Sequence, residues 1–348
     1  MIITSDIINE KDDATFVRKL NESLENNQDY FKELEQVAET CDIEIGSVDP
    51  FEDEEKFLLH WFKYRFVIGK NIVSKEQCKE TISKIQRKFE QLDVDLNDES
   101  TWAKDLNGTS ILSKGFLEIY HDDLLAQIRQ NRKLYLYNAI IWQTCRLNVS
   151  FDRLGLKIKD KDGAGQLPYH VDQHPLIYPD FKTTQGVLAL NDCKENGTIL
   201  VPESHKYFHE YDSIVEELGE GYTANYVQTD FKEGFLERVK QDEIVIPLSQ
   251  GDYLTWDSRI THTNMRNEST DRYVMYVSAG PEITDIAMKE TRWILFGEGE
   301  GDNIREAYAH ASKKPRFDNE ILNEIREEEE LTLLGELLYG FKKYESIL

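Results

Sequence analysis

The sequence predicts a mainly β fold, a sandwich or barrel carried between helical flanks. Three observations lead there. From about residue 134 to 280 short apolar runs recur (LYLYNAIIW, QGVLALND, GTILVP, EIVIPL, YLTW and RYVMYVSA), separated by DG, NG and GD turn dipeptides. Many short strands in one stretch favour a sandwich or barrel over a doubly wound sheet. Both ends of the chain return to a charged, helix-compatible texture, and no Pro/Gly/Ser-rich linker divides the middle of the 348 residues.

Residues 1–60 read as a helical N-terminal extension. The run WFKYRFVIG then reads as a strand ending at a glycine, and NIVSKEQCKETISKIQRKF as a helix that Ser74 caps with Gln77 three positions on. The β domain spans 61–280, with an acidic, aromatic insertion near 207–243 that reads either as a lid or as two amphipathic helices packed on the barrel. Asn196 and Gly197 predict a tight turn between QGVLALND and TILVP. Residues 281–348 form a C-terminal helical segment packing on the core, where the apolar stripe of LTLLGELLYGF caps the barrel or joins two subunits. Monomer and homodimer both stay open.

Charge narrows the partners. A formal net charge of −25 and a pI near 4.7 repel phosphate backbones and anionic membrane surfaces, and KYRF and SKKPR are the longest basic patches. No nucleic acid and no membrane insertion are expected. Cys41, Cys78, Cys145 and Cys193 are widely spaced and form no CxxC, so they read as buried thiols. With no basic, apolar leader at the N-terminus, a soluble cytoplasmic or otherwise intracellular protein is the expectation.

The chemistry concentrates in HVDQHP, residues 170–175. Alternate strand residues share a face, so His170 and Asp172 project together, while Pro175 marks the end of the strand. A third ligand must come from elsewhere, and His262 in GDYLTWDSRITHTN is the best donor. Two imidazoles and one carboxylate on one side of a metal suit non-haem Fe(II), with zinc the competitor. Ten residues on, Arg272 in DRYVMYVS either faces solvent beside Asp271 or turns inward, where a guanidinium needs an anion such as a carboxylate. His174 reads as a mouth residue or a turn histidine. His205 and His209 would share a helical face, yet no HExxH accompanies them. Arg259 reads as a brace for the His262 segment through Asp257 or Asp152.

SFDRLGLKIK at 150–159, LPYHVDQHP at 167–175, TTQGVLALNDCKENGTILVPESHK at 183–206 and GDYLTWDSRITHTNMRNESTDRYVMYVS at 251–278 together resemble the phytanoyl-CoA dioxygenase-like branch of the Fe(II)/2-oxoglutarate oxygenases. The resemblance implies a double-stranded β-helix, the cupin-like jelly roll. It implies His170, Asp172 and His262 as the catalytic Fe(II) triad and Arg272 as partner of the distal 2-oxoglutarate carboxylate. It also puts Gln173 where members often place a cosubstrate-facing glutamine. Asn264 stands where members often have serine supporting the same carboxylate, and an amide can still donate there. The implied activity is hydroxylation of a small organic substrate with 2-oxoglutarate and O2 as cosubstrates, yielding succinate and CO2. Retention of Asp172 speaks against halogenation, which needs that ligand position vacated. A protein or peptide hydroxylase with the same iron centre and a non-catalytic or zinc-dependent jelly-roll binding protein are the alternatives. The acidic surface argues against an acyl-CoA substrate.

Overall fold

The computed structural model describes residues 1–91, 93–101, 115–117, 119–159, 167–219, 222, 227–229, 234–265, 270–298 and 329–348. Its strands form two sheets whose inner faces pack on each other, the double-stranded β-helix. The larger sheet runs in the order β1 (Phe66–Gly69), β10 (Tyr253–Asp257), β6 (Thr184–Ala189), β12 (Arg272–Tyr276), β4 (Leu154–Lys157) and β2 (Phe116–Leu117). Beside this path β13 (Ala279–Pro281) pairs with both β6 and β3 (Leu147–Val149). The smaller sheet runs β8 (Val227–Gln228), β5 (His170–Val171), β11 (His262–Asn264), β7 (Cys193–Leu200) and β9 (Ile244–Leu248). Pro247 sits on β9, at the edge of that order, where a missing amide breaks no ladder.

Strand alternation divides the core. Val187, Ala189, Leu254, Trp256 and Val274 of the larger sheet face Cys193, Leu200, Ile246 and Leu248 of the smaller one. The intervening residues Leu188, Tyr253, Tyr273 and Met275 point outward and are covered by helices. Those helices include α2 (Asp13–Asn26), α4 (Glu54–Tyr64), α5 (Lys75–Gln91), α7 (Arg132–Trp142) and the C-terminal α11 (Leu333–Leu338). Phe16, Val17, Trp61, Tyr137, Leu334 and Leu337 belong to the same apolar cluster as the sheet's outer face. At α5 the Ser74 hydroxyl accepts from the amide of Gln77, as the sequence predicts.

Two local expectations are corrected. LYLYNAIIW is not a strand but the body of α7, with the Asn131 side chain capping the amides of Lys133 and Leu134. The helix is buried on nearly every side, from Leu134 to Ile141, so it shows no polar face and its run of apolar residues imitates a buried strand. Asn196 and Gly197 lie not in the turn before β7 but inside that strand, at a register shift between Cys193 and Thr198. A Cβ at Gly197 would stand 2.3 Å from the Ile246 carbonyl oxygen, so the bulge requires glycine.

The described elements of the insertion include α8 (Tyr211–Leu218), β8 and α9 (Phe235–Val239). Tyr211, Ile214, Val215, Phe235 and Val239 pack with Tyr169, Val171, Ile199 and Val201, the outward-facing residues of β5 and β7 and their flanks. The described part therefore covers the back of the smaller sheet. The SKKPR stretch and the EIREE portion of the C-terminal segment lie outside the described residues.

If α11 is part of the main core, Leu337→Ala should lower the unfolding free energy measured in urea by about 2–5 kcal/mol. A change below about 0.5 kcal/mol, the level of an ordinary surface substitution, would contradict that packing.

Candidate metal centre

His262 stands directly opposite His170 in the antiparallel pairing of β11 with β5. Cross-strand partners on one face are neighbours, and the two imidazole centroids are 4.3 Å apart. Asp172 follows β5 immediately, held by its amide to the Ser258 carbonyl. Its Oδ1 is 3.7 Å from His170 Nε2 and its Oδ2 3.4 Å from His262 Nε2. All three ligand atoms lie within 4.8 Å of one another, and among the described residues no other group of three or more His, Cys, Asp or Glu side chains has metal-site spacing.

The backbone sets the tautomers. His170 Nδ1 is 2.7 Å from the Pro168 carbonyl and His262 Nδ1 is 3.0 Å from the Ile260 carbonyl. A carbonyl only accepts, so each Nδ1 donates its proton there, and Nε2 is the ring nitrogen that each histidine turns toward Asp172. The carboxylate is steadied in turn by Gln185, whose Nε2 donates to Asp172 Oδ2 at 2.6 Å.

Arg272, which sequence alone left between solvent and interior, is 1% exposed. Its Nη2 reaches Thr198 Oγ1 at 3.4 Å, while its Nε and Nη1 have no hydrogen-bond partner among the described residues. A buried guanidinium with unspent donors calls for an anion, and its fork matches a carboxylate. Lys157, the register partner of Arg272 on β4, is also buried, and burial together with the Arg272 charge lowers its pKa to about 7. Thr198 donates to Asn264 Oδ1 at 3.3 Å, and both line the triad cavity. That cavity measures about 170 Å³. Tyr276 lines the same cavity, and Gly155 leaves room for its ring: a Cβ there would come within 2.9 Å of it.

The remaining sequence candidates take structural places. Gln173 does not line the cavity; its Oε1 accepts from Ser258 Oγ at 2.6 Å and its Nε2 donates to the carbonyls of Tyr178 and Asp180. It braces the loop after Asp172. His174 Nδ1 accepts from the Ile177 amide within the same turn. His205 and His209 fall in a 3-10 helix, Ser204–Glu210, whose spacing separates residues four apart. Desolvation holds His205 down at about 3. Arg259 clasps Asp257 with Nε and Nη2, which fixes the turn into β11.

Gln185, Lys157 and Trp256 went unnoticed in sequence. Their signal was the two-residue period: Gln185 precedes Val187 and Ala189 on the inner face of β6, and Lys157 lies across from Arg272.

A family profile described as Phytanoyl-CoA dioxygenase (PhyH) matches residues 66–274. No curated protein matches the chain significantly. Among solved structures, a protein of Salmonella typhimurium LT2 with a provisional oxidoreductase description is similar at 14% identity and a TM-score of 0.61, covering 97% of this chain and 98% of its own. A hypothetical protein of Escherichia coli is similar at 14% identity and a TM-score of 0.58, with the same coverages. The epimerase SnoN, solved with Fe3+, alpha ketoglutarate and nogalamycin RO, is similar at 15% identity and a TM-score of 0.48 over 69% of this chain and 89% of its own. The first two match over nearly the whole length of both chains.

Because Gln173 is a brace, Gln173→Leu should destabilise the metal-free protein by about 1–3 kcal/mol in urea, from carbonyls and a hydroxyl left unpaired; unchanged stability would contradict the assignment. Gln185→Leu should weaken Co(II) binding about 10- to 100-fold in competition with a chelator. Equal affinity would show that the Asp172 contact does not orient the site.

Proposed function

This chain belongs to the phytanoyl-CoA dioxygenase family and is a 2-oxoglutarate-dependent non-haem iron oxygenase, and on that premise we propose that it hydroxylates a small organic substrate. His170, Asp172 and His262 would hold Fe(II), and the observation that carries the reading is the convergence of their three ligand atoms within 4.8 Å. With 2-oxoglutarate and O2, the iron supplies oxidation of a C–H bond to C–OH, one oxygen atom entering the product and the other the succinate formed as CO2 is lost.

The chain's own residues place the partners of that chemistry. Arg272, with two donors unspent, takes the distal carboxylate of 2-oxoglutarate, and Lys157 beside it adds a second positive charge. Thr198 and Asn264 line the route between this cationic end and the triad. Gln185 and the two backbone carbonyls hold the ligand side chains in one orientation, so binding need not reorganise them. A cavity of about 170 Å³ with polar residues at its wall supports a small substrate over a folded protein chain. Among the described residues no helix is long and apolar enough to cross a membrane.

Purified protein given Fe(II), O2 and 2-oxoglutarate should release succinate, and Arg272→Met should raise the KM for 2-oxoglutarate by about 100-fold or more, the scale of removing a charged hydrogen-bonded partner. No succinate from iron-loaded protein, with or without candidate substrates, would contradict the proposal. Lys157 gives a pH signature. Its pKa of about 7 means the charge that favours an anion is present below pH 7 and lost above it. Affinity for 2-oxoglutarate should therefore fall as pH rises from 6.5 to 8.5, by about the tenfold per unit of a single proton linkage at most. In Lys157→Met that dependence should disappear; a slope retained in the variant would assign it elsewhere.

A further inference from the structure

The cavity wall beside the triad holds two buried polar atoms with opposite needs. Trp256 on β10 and Gln185 on β6 are register partners, so their side chains share a face, and both line the cavity. Trp256 is 3% exposed, and its Nε1 has no acceptor among the described residues. Gln185 Oε1 is likewise buried with no donor. The orientation of this amide follows from its neighbour: the Asp172 carboxylate only accepts, so the nitrogen must face it and the oxygen is the unsatisfied end. Leaving either atom unpaired costs about 1–3 kcal/mol, which a bound group of the right chemistry would recover.

That chemistry is restrictive. An indole N–H only donates and an amide oxygen only accepts. A ligand group that satisfies both must accept and donate together, as a hydroxyl or a carboxamide does. A carboxylate, ketone or ester has nothing to donate, and an ammonium cannot accept. Both atoms are also tied to the metal candidates: the Trp256 ring lies 5.2 Å from the His262 ring, and the Gln185 amide is bonded to Asp172. A group clasped here is held next to the oxidising centre. Asp152, Arg153 and Ser278 continue the polar lining, and the cavity volume of about 170 Å³ suits a small molecule.

We propose that the substrate is a small polar molecule whose hydroxyl or carboxamide is clasped between Trp256 Nε1 and Gln185 Oε1, presenting a neighbouring C–H bond to the metal. This rests on the oxygenase reading above and names the substrate class of that same site.

The test uses the full chain loaded anaerobically with Fe(II) and 2-oxoglutarate, whose binding is measured first by calorimetry. Three sets of probes follow: glycerol, D-glucose and L-serine for the hydroxyl; L-glutamine, L-asparagine and glycinamide for the carboxamide; hexanoate and glycine betaine, which lack a donor. At least one probe from the first two sets should bind and, on admitting O2, accelerate succinate release. With Fe(II) kept saturating for each variant, so that the weaker metal binding expected of the Gln185 variant does not enter, Trp256→Phe and Gln185→Met should each raise the KM for that probe about tenfold, more than they raise the KM for 2-oxoglutarate. Which of the two sets responds decides between hydroxyl and carboxamide. Binding of hexanoate or betaine alone, binding of no probe, or a responding probe indifferent to both variants would overturn the inference. Failure of wild-type protein to bind Fe(II) and 2-oxoglutarate at the outset would strike the oxygenase reading itself.

Discussion

The pairing of β5 with β11 in a single register is the constraint on which the rest of the molecule depends. It sets His262 opposite His170, with both Nε2 atoms against Asp172. A slip of one residue would turn an imidazole to the other face of the sheet. β5 contributes only two residues and β11 three, too few to specify their own register. The neighbours supply it. β7 pairs with β11 on the other side, the Asp172 amide binds the Ser258 carbonyl, and Gln173 ties Ser258 to the loop at Tyr178 and Asp180. Behind the sheet, Tyr211 joins Thr229 and Thr261 through its hydroxyl and fills the apolar layer under β5.

The larger sheet solves a different problem, that of keeping cations dry. Arg272 and Lys157 are paired across β12 and β4 and are both buried, an arrangement whose like charges and desolvation oppose folding. An apolar, helix-covered outer face lets the sheet tolerate it: Leu154, Leu156, Tyr273 and Met275 alternate with the inward charges and belong to the cluster that α4, α7 and α11 complete. Stability gathered on the helical side is in this sense spent on a site where Nε and Nη1 of the buried Arg272 have no hydrogen-bond partner among the described residues. The same logic covers the unsatisfied Trp256 and Gln185 atoms nearer the triad.

Sequence patterning made a sandwich or barrel legible, because alternation marks β6, β10 and β12; the HxD spacing with a distal histidine offered a candidate ligand set, and the family resemblance carried both to a jelly roll and to His170, Asp172 and His262. Spacing left Arg272 between solvent and interior, with Asp271 beside it fitting the solvent-facing reading, and only the family resemblance pointed it at a carboxylate. What escaped were features set by three-dimensional cover. α7 hid its period because packing surrounds it, and Asn196–Gly197 resembled a hairpin turn because a glycine bulge and a turn share the same residues. Gln173 sits next to a ligand in sequence, but its amide turns the opposite way, toward carbonyls that no local pattern announces. Gln185, thirteen positions from Asp172, does the supporting instead.

The most direct measurement is an anaerobic optical titration of metal-free protein with Fe(II) and then 2-oxoglutarate, in wild type and in Asp172→Ala. Chelation of 2-oxoglutarate at an open two-histidine, one-carboxylate iron site is expected to give a weak metal-to-ligand charge-transfer band in the visible. The band should develop with one equivalent of each in wild type and be lost in the variant. Iron bound stoichiometrically with no band on saturating 2-oxoglutarate would contradict the assignment of His170, Asp172 and His262 as a cosubstrate-binding iron centre.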